Sequence, residues 1–162
     1  MRALSALALG VALVGCGAAA PTPRAATVPT EPVLALADGA PTTVAEVAGA
    51  RPLVLDLYAT WCAACRKQIA HLEELAATFG DAVAVIGVDV GEELELARTF
   101  AAREDIDYPV VVDPELRFAD ALGVSSLPAL LVVAADGTIV HLGREVDEAV
   151  WAQVRALLAD AP

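Results

Sequence analysis

Three apolar runs of strand length, separated by segments of helical periodicity, constrain this chain most. They cover residues 52–58, 82–90 and 129–134, and each is apolar at nearly every position. Strands that are apolar on both faces suit a central sheet that is covered by helices on each side. The sequence therefore predicts an α/β domain of three layers, α/β/α, around a central mixed sheet.

The segments around these runs carry the predicted helices. We predict helices over residues 65–79, 92–103, 114–122 and 147–158. In the third, Asp113 is a favourable N-cap and Pro114 a favourable first-turn residue. Residues 135–138, Ala-Asp-Gly-Thr, predict the turn of a β-hairpin. A short strand at 33–36 and the segment 43–47 predict an N-terminal extension of the domain.

Composition narrows the class of partner. The chain has 162 residues, 57% of them hydrophobic and 20% charged, which is typical of one packed domain with a short appendage. Its 22 Asp and Glu outnumber ten Lys and Arg, giving a formal charge of −12. A protein that binds nucleic acid or an anionic lipid surface needs clustered Lys and Arg side chains, so neither is an expected partner. The acidic surface favours solubility or steers a basic partner protein.

The N-terminal segment has the charge and apolar pattern of a targeting signal. Arg2 precedes an apolar run from Ala3 to Val14, which is far shorter than the roughly 20 residues that span a bilayer. The following tetrapeptide Leu13-Val-Gly-Cys16 resembles the bacterial lipobox, in which the chain is cut before the cysteine and the thiol receives a lipid. The alternative is an ordinary secretory signal with an incidental cysteine.

These features give a three-part organisation. Residues 1–15 are predicted to be a lipoprotein signal peptide, and residues 16–32 a lipidated Cys16 followed by a Pro/Ala-rich tether. Residues 33–162 are predicted to form the folded domain. The protein would then be an extracytoplasmic lipoprotein that faces the periplasm and meets the membrane only through its lipid anchor.

Cys62 and Cys65 form a C-x-x-C motif at the junction of a predicted strand and helix. A sulfur at the N-terminus of a helix meets free backbone N–H groups that stabilise a thiolate. Cys62 is therefore the expected nucleophile, and Cys65, one turn into the helix, the expected resolving thiol. Half of a zinc site and a purely structural disulfide are alternatives. A zinc site needs four ligands, and His71 and His141 are isolated in the sequence.

The surroundings of the motif resemble a known family. Leu53–Lys67 (Leu-Val-Leu-Asp-Leu-Tyr-Ala-Thr-Trp-Cys-Ala-Ala-Cys-Arg-Lys) resembles the thioredoxin active-site block, and Gly123–Ala129 resembles the block that carries a cis-proline. Together with Val111–Glu115, Asp136–Val140 and the lipobox, they are similar to the TlpA/ResA-like branch of extracytoplasmic thioredoxins. The resemblance implies a thioredoxin fold and thiol–disulfide exchange.

It also implies roles for individual residues. Asp56 corresponds to a buried acid beneath the resolving thiol, with a raised pKa and a proton to exchange with Cys65; the alternative is an exposed strand-edge carboxylate. Pro128 is expected to be cis, so that the Leu127 backbone can pair with an extended substrate strand. Trp61 would lie beside the dithiol and shape the docking surface, or else pack in the core.

Three positions depart from the thioredoxin pattern. Ala63-Ala64 lacks the usual proline before the second cysteine, Ala70 replaces a helix-kinking proline, and Ala129 replaces a common threonine. The dipeptide between the cysteines tunes the reduction potential, which in this fold ranges from about −270 to about −120 mV. The block ending at Cys65 also resembles the periplasmic C-terminal domain of the DsbD reductase, and both resemblances favour a reductant.

We therefore expect a monomeric protein-disulfide reductase for exported proteins, apocytochrome c being the family's common client. Its electrons would come from a membrane thiol donor of the DsbD/CcdA kind, and it would need neither metal nor organic cofactor. One alternative is an oxidase or isomerase of the same fold. Another is a copper-binding metallochaperone using Cys62, Cys65 and His141. A peroxidase is disfavoured because the sequence holds no Pro-x-x-x-Thr-x-x-Cys block.

Overall fold

The computed structural model describes residues 26–159. Within that range the chain forms a single sheet flanked by helices. In chain order the elements are β1 Val33–Ala35, β2 Pro41–Thr42, α1 Val44–Ala48, β3 Leu53–Tyr58, α2 Ala63–Phe79, β4 Ala84–Val90, α3 Leu94–Arg103, β5 Val110–Asp113, α4 Arg117–Leu122, β6 Ala129–Val133, β7 Ile139–Gly143 and α5 Glu148–Ala159. A 3₁₀ turn, Gly80–Ala82, links α2 to β4.

The sheet is mixed, with strand order β2-β1-β5-β4-β3-β6-β7. Strands β3, β4 and β5 run parallel, whereas β6 and β7 on one side and β1 and β2 on the other are antiparallel to their neighbours. The strand β3, which leads into the C-x-x-C motif, therefore lies between two paired strands. Its end is held rigidly from both sides.

Alternate residues of β3 point into two separate cores. Leu55 and Leu57 pack with α1 and α4 on one face of the sheet. Val54 and Tyr58 pack with α2, α3 and α5 on the other. A continuous apolar strand needs cover on both faces, and the helices provide it, which confirms the predicted three-layer α/β/α architecture.

The sequence analysis missed two strands, the two-residue β2 and β5. Strand β5 has only four residues between a polar loop and Pro114, too few to stand out as an apolar run. Its place in the sheet comes from pairing with β4, where Gly87 lies opposite Val110, and with β1. Long-range pairing therefore creates this strand.

The predicted start of the third helix was wrong. Helix α4 begins at Arg117, and Leu116 before it adopts a left-handed conformation with φ 60°. The buried Asp113 does serve this helix, but from six residues away, because its Oδ2 accepts the N–H of Ala119 at 2.9 Å. The acid satisfies one of the free N–H groups of the first turn without adjoining the helix in sequence.

The N-terminal extension consists of β1, β2 and the short helix α1. Thr43 caps α1 in a capping box, in which its side chain accepts the Glu46 N–H and the Glu46 carboxylate accepts the Thr43 N–H. The end of the predicted tether contacts the hairpin, since Val28 N–H donates to Gly137 O and Ile139 N–H to Ala26 O. The predicted signal peptide and Cys16 lie outside the described residues.

Within residues 26–159, no helix combines the length and the apolar character needed to cross a membrane.

Candidate active site

The two cysteines of the motif lie where β3 passes into α2. Cys62 is the N-cap of α2 and is joined to Cys65 by a disulfide. The N–H of Cys65 donates to Cys62 Sγ at 3.2 Å, so this sulfur occupies the acceptor position that a capping side chain normally fills. Cys62 is 7% exposed and Cys65 only 1%. Cys62 is thus the sulfur that a partner can reach, and backbone donors are ready to stabilise its thiolate.

Asp56 lies in the middle of β3 and is 1% exposed. The alternative of an exposed strand-edge carboxylate was wrong, because β4 and β6 pair with β3 on both sides. Burial raises the pKa of Asp56 to about 7, an effect that a hydrogen bond donated by Gln68 Nε2 to Asp56 Oδ1 partly opposes. Near neutral pH this carboxyl can therefore both accept and release a proton.

Gln68 was not identified from the sequence. It follows Cys65 by three residues on α2, so both side chains lie on the same face of the helix, and both are buried. This spacing was the signal that could have identified it. Through Gln68 the acid of β3 is tied to the helix that carries the dithiol.

The Leu127–Pro128 peptide bond is cis, and it precedes β6 directly. Ala129 lies opposite Leu57 in the antiparallel pairing of β6 with β3, which places Pro128 near the end of β3 where the dithiol turn begins. Arg144, just after β7, fixes this loop. Its Nη2 donates to Leu127 O at 2.6 Å and its Nη1 to Ser126 Oγ at 2.9 Å. No sequence pattern linked Arg144 to this loop.

Trp61 is 73% exposed, so the alternative of core packing was wrong. It lines a groove of about 410 Å³ together with Leu116, Val124 and Leu127. We call this surface the apolar groove. Leu116 is also exposed, and an exposed Trp and Leu beside a reactive cysteine are typical of a contact surface.

Glu92, in the loop between β4 and α3, holds the turn before Cys62. Its Oε2 accepts the Thr60 N–H at 2.6 Å and its Oε1 accepts the Thr60 hydroxyl at 2.7 Å. Beneath it, the fully buried Asp89 has no hydrogen-bond partner among the described residues. Burial and the nearby Glu92 charge raise the pKa of Asp89 to about 8. Sequence reasoning missed both acids, because 32 residues separate Glu92 from Thr60.

The contact between Glu92 and Thr60 predicts a stability effect. We expect Glu92→Ala to lower the free energy of unfolding by about 1–3 kcal/mol, because two hydrogen bonds to a charged acceptor are lost. Urea unfolding of the oxidised protein at pH 7 measures it. Glu93→Ala is the matched control, since Glu93 is exposed and its side chain makes no capping bond. Equal unfolding midpoints for the two variants would contradict this role of Glu92.

The third ligand of the copper hypothesis is not brought to the dithiol. His141 lies on β7 opposite Val132. Across residues 26–159, no three His, Cys, Asp or Glu side chains cluster closely enough to hold a metal ion. The structure therefore does not form the ligand set of the copper-binding alternative, which was Cys62, Cys65 and His141.

Comparison with known proteins fits this architecture. Residues 20–142 match the AhpC/TSA family over most of the chain. The chain belongs to the AhpC/TSA family. The match includes both blocks that resembled thioredoxins, with Cys62, Cys65 and the cis Pro128.

Individual curated proteins are also similar to this chain. Over 99 residues it is 28% identical to the thiol-disulfide oxidoreductase ResA of Halalkalibacterium halodurans, covering 59% of this chain and 56% of that protein. It is 31% identical over 98 residues to the thioredoxin-like protein YneN of Bacillus subtilis, covering 57% of each. The chain thus spans little more than half the length of these curated relatives.

The fold extends further than the sequence similarity. A crystal structure from Chlorobium tepidum, described as a thiol:disulfide interchange protein DsbE, superposes with a TM-score of 0.72 at 20% identity. The superposition covers 82% of this chain and 95% of the C. tepidum chain. The thioredoxin fold implied by the sequence is confirmed.

Proposed function

We propose that this protein is an extracytoplasmic thiol–disulfide oxidoreductase that reduces disulfides of exported proteins through Cys62 and Cys65. The observation that carries the proposal is the arrangement of the dithiol. Cys62 caps α2 near a cis-proline and is 7% exposed, whereas Cys65 and the acid Asp56 are each 1% exposed. The relative from H. halodurans, named a thiol-disulfide oxidoreductase, supports the same activity.

The reaction follows from these positions. In the reduced protein the Cys62 thiolate attacks one sulfur of a client disulfide, forming a Cys62–client disulfide and releasing the first client thiolate. Asp56, as a carboxylate, takes the proton of the Cys65 thiol. Cys65 then attacks Cys62 Sγ, which restores the Cys62–Cys65 disulfide and releases the second client thiolate. The client gains two electrons and the protein loses them. The two client thiolates then take up two protons, one released by Asp56 and one from solvent, which received the proton of Cys62 when its thiolate formed.

The client would dock as an extended segment along the cis-proline loop. The apolar groove gives a surface for its apolar side chains, and Trp61 and Leu127 belong to that groove. Arg144 holds the Leu127 carbonyl in place but uses only one of its two lone pairs, so the other remains for a client N–H.

The setting of the reaction is proposed from the sequence. The signal-like N-terminus and the lipobox ending at Cys16 support a monomeric lipoprotein that faces the periplasm. Outside the cytoplasm the oxidised dithiol needs a source of electrons, for which we propose a membrane thiol donor of DsbD/CcdA type. Apocytochrome c, whose haem-binding cysteines must be reduced, is the proposed client.

The direction of electron flow is tested by the reduction potential of the dithiol. We expect equilibration with glutathione to give a value more negative than about −180 mV, on the reducing side of protein disulfide isomerase. Acid quenching and thiol alkylation followed by mass spectrometry report the reduced fraction. A less negative potential, and above all one near −120 mV, would contradict the reductase direction and favour an oxidase or isomerase.

A further inference from the structure

A second pocket adjoins Pro128 and differs in character from the apolar groove. It has a volume of about 290 Å³ and is lined by side chains that include Lys67, His71, Arg144 and Glu145. Lys67 and His71 are four residues apart on α2, so they lie on the same face of the helix. We call this site the basic pocket.

The charges of the basic pocket stand out in an acidic protein. The chain has a formal net charge of −12 and a single lysine, Lys67. Five arginines of the described part of the chain form ion pairs with glutamates: Arg66, Arg98, Arg103, Arg117 and Arg155. Among residues 26–159, no carboxylate oxygen lies within 4.0 Å of the cationic groups of Lys67 or Arg144. Two cations without an acidic partner therefore meet at one pocket beside the dithiol.

Their donors are largely unused. Arg144 donates one hydrogen bond to Ser126 Oγ and one to Leu127 O. These bonds fix the guanidinium and leave its other N–H groups available. The Lys67 ammonium has three donors. A fixed guanidinium and an ammonium suit a carboxylate, which accepts hydrogen bonds from both. Glu145 is the one acidic side chain of the basic pocket, and it favours a ligand with a single carboxylate over a more highly charged one.

We propose that the basic pocket binds an acidic side chain of the client, close in sequence to the client cysteine that Cys62 attacks. This inference rests on the proposed function. Pro128 lines the pocket, and the cis-proline loop is where the client is proposed to lie, so a carboxylate one to three residues from the reacting cysteine can reach it. The preferred client then places an apolar side chain in the apolar groove and an Asp or Glu side chain in the basic pocket.

The net charge of the protein does not oppose this recognition. Repulsion between the acidic surface and a client carboxylate is screened beyond a Debye length of about 8 Å at physiological ionic strength. The contact with Lys67 and Arg144 acts at hydrogen-bond distance, so salt weakens it less than it weakens the long-range repulsion. A client that is basic overall is attracted to the acidic surface of this protein. One acidic residue beside its cysteine then allows it to contact the basic pocket.

Synthetic peptides with one intramolecular disulfide test the proposal. Two series place Asp either before or after the reacting cysteine, and matched peptides carry Asn at the same position. The rate of reduction by the pre-reduced protein is followed through its tryptophan fluorescence at low ionic strength. We expect the Asp peptide of one series to react about three- to fivefold faster than its Asn partner, the effect of an exposed ion pair, and salt to reduce this ratio.

Lys67 is the informative position, because Arg144 also holds the Leu127 carbonyl. Lys67→Gln is expected to bring the Asp/Asn ratio close to one, and Lys67→Arg to retain it. Arg155→Gln, with the same change of charge on α5, is expected to keep the wild-type ratio. Equal rates for Asp and Asn peptides in both series, or an unchanged ratio in Lys67→Gln, would overturn the basic pocket while leaving the reductase function standing. Failure to reduce any peptide would overturn both.

Discussion

Asp56→Asn is expected to raise the free energy of unfolding of the oxidised protein at pH 8 by about 2–4 kcal/mol. Burial raises the pKa of Asp56 from 3.8 to about 7, a shift of roughly three units. Each unit corresponds to 1.36 kcal/mol, so the ionised carboxylate lowers the stability of the folded state by up to about 4 kcal/mol. The amide that replaces it carries no charge, and its oxygen can still accept the Gln68 N–H.

The size of the stability gain from Asp56→Asn depends on pH in a defined way. Below about pH 4 the carboxyl is protonated in the folded and the unfolded chain, so the substitution brings no electrostatic gain. Between about pH 4 and 7 the unfolded chain has released the proton and the folded chain still holds it, so the stability of the wild type falls as pH rises. Above about pH 7 the penalty is complete, and the gain of Asp56→Asn is constant.

Urea unfolding at pH 4, 6 and 8 measures this gain. The control is Asp136→Asn, because Asp136 is exposed and hydrogen bonds from Thr138 lower its pKa, so the electrostatic effect of the change has the opposite sign. Asp89 is present in both proteins and cancels in the difference. A stability difference between wild type and Asp56→Asn that is the same at all three pH values would show that folding does not raise the pKa of Asp56.

The same variant tests the catalytic role of Asp56. The substitution removes the proposed proton acceptor of Cys65, so the resolving step is expected to slow by about 10²-fold near neutral pH. The dependence of kcat on pH should lose the inflection near pH 7. Superimposable pH profiles for wild type and variant would remove Asp56 from the mechanism.

Cys62→Ser is expected to lower the turnover of a protein disulfide by about 10³-fold or more, because the thiolate is the attacking group and a serine hydroxyl cannot replace it. Cys65→Ser should behave differently. It retains the nucleophile, so it should release one client thiol per protein molecule in a rapid burst and then stop. The measurement is rapid-quench kinetics with an excess of client disulfide.

The control for both substitutions is Ala63→Ser, which adds a hydroxyl between the cysteines and leaves both thiols in place. Reduced beforehand like the other variants, it is expected to release two client thiols per protein molecule, as the wild type does. Release of client thiol by Cys62→Ser at the wild-type rate, or no burst in Cys65→Ser, would contradict the assignment of nucleophile and resolving thiol.

Much of the fold could be predicted from local patterns. Strands β3, β4 and β6 are apolar on both faces and long enough to be recognised, and helix α2 carries a clear stripe of buried residues. Strand β5 is too short to give such a signal and exists because β4 and β1 pair with it. The start of α4 was misplaced because the Asp113 carboxylate reaches over three intervening residues, 114–116, to the first turn of that helix.

The site divides in the same way. Cys62 and Cys65 follow from their motif, and Asp56, Pro128 and Trp61 from a resemblance that extends over neighbouring residues. Two groups that hold the site could not be predicted, because they come from distant parts of the chain: Glu92 and Arg144. Gln68 could have been identified from its position three residues after Cys65, but its contact with Asp56 could not. Contacts between separate elements depend on how those elements pack, and no local pattern records that packing.

The central claim is that Cys62 attacks the client and Cys65 resolves the intermediate, and the covalent complex itself tests it most directly. Reduced Cys65→Ser is mixed with a peptide disulfide, quenched with acid, digested and mapped by mass spectrometry. We predict a mixed disulfide between the peptide and Cys62, formed stoichiometrically and released by added dithiol. Absence of any peptide adduct on Cys62 would contradict the account.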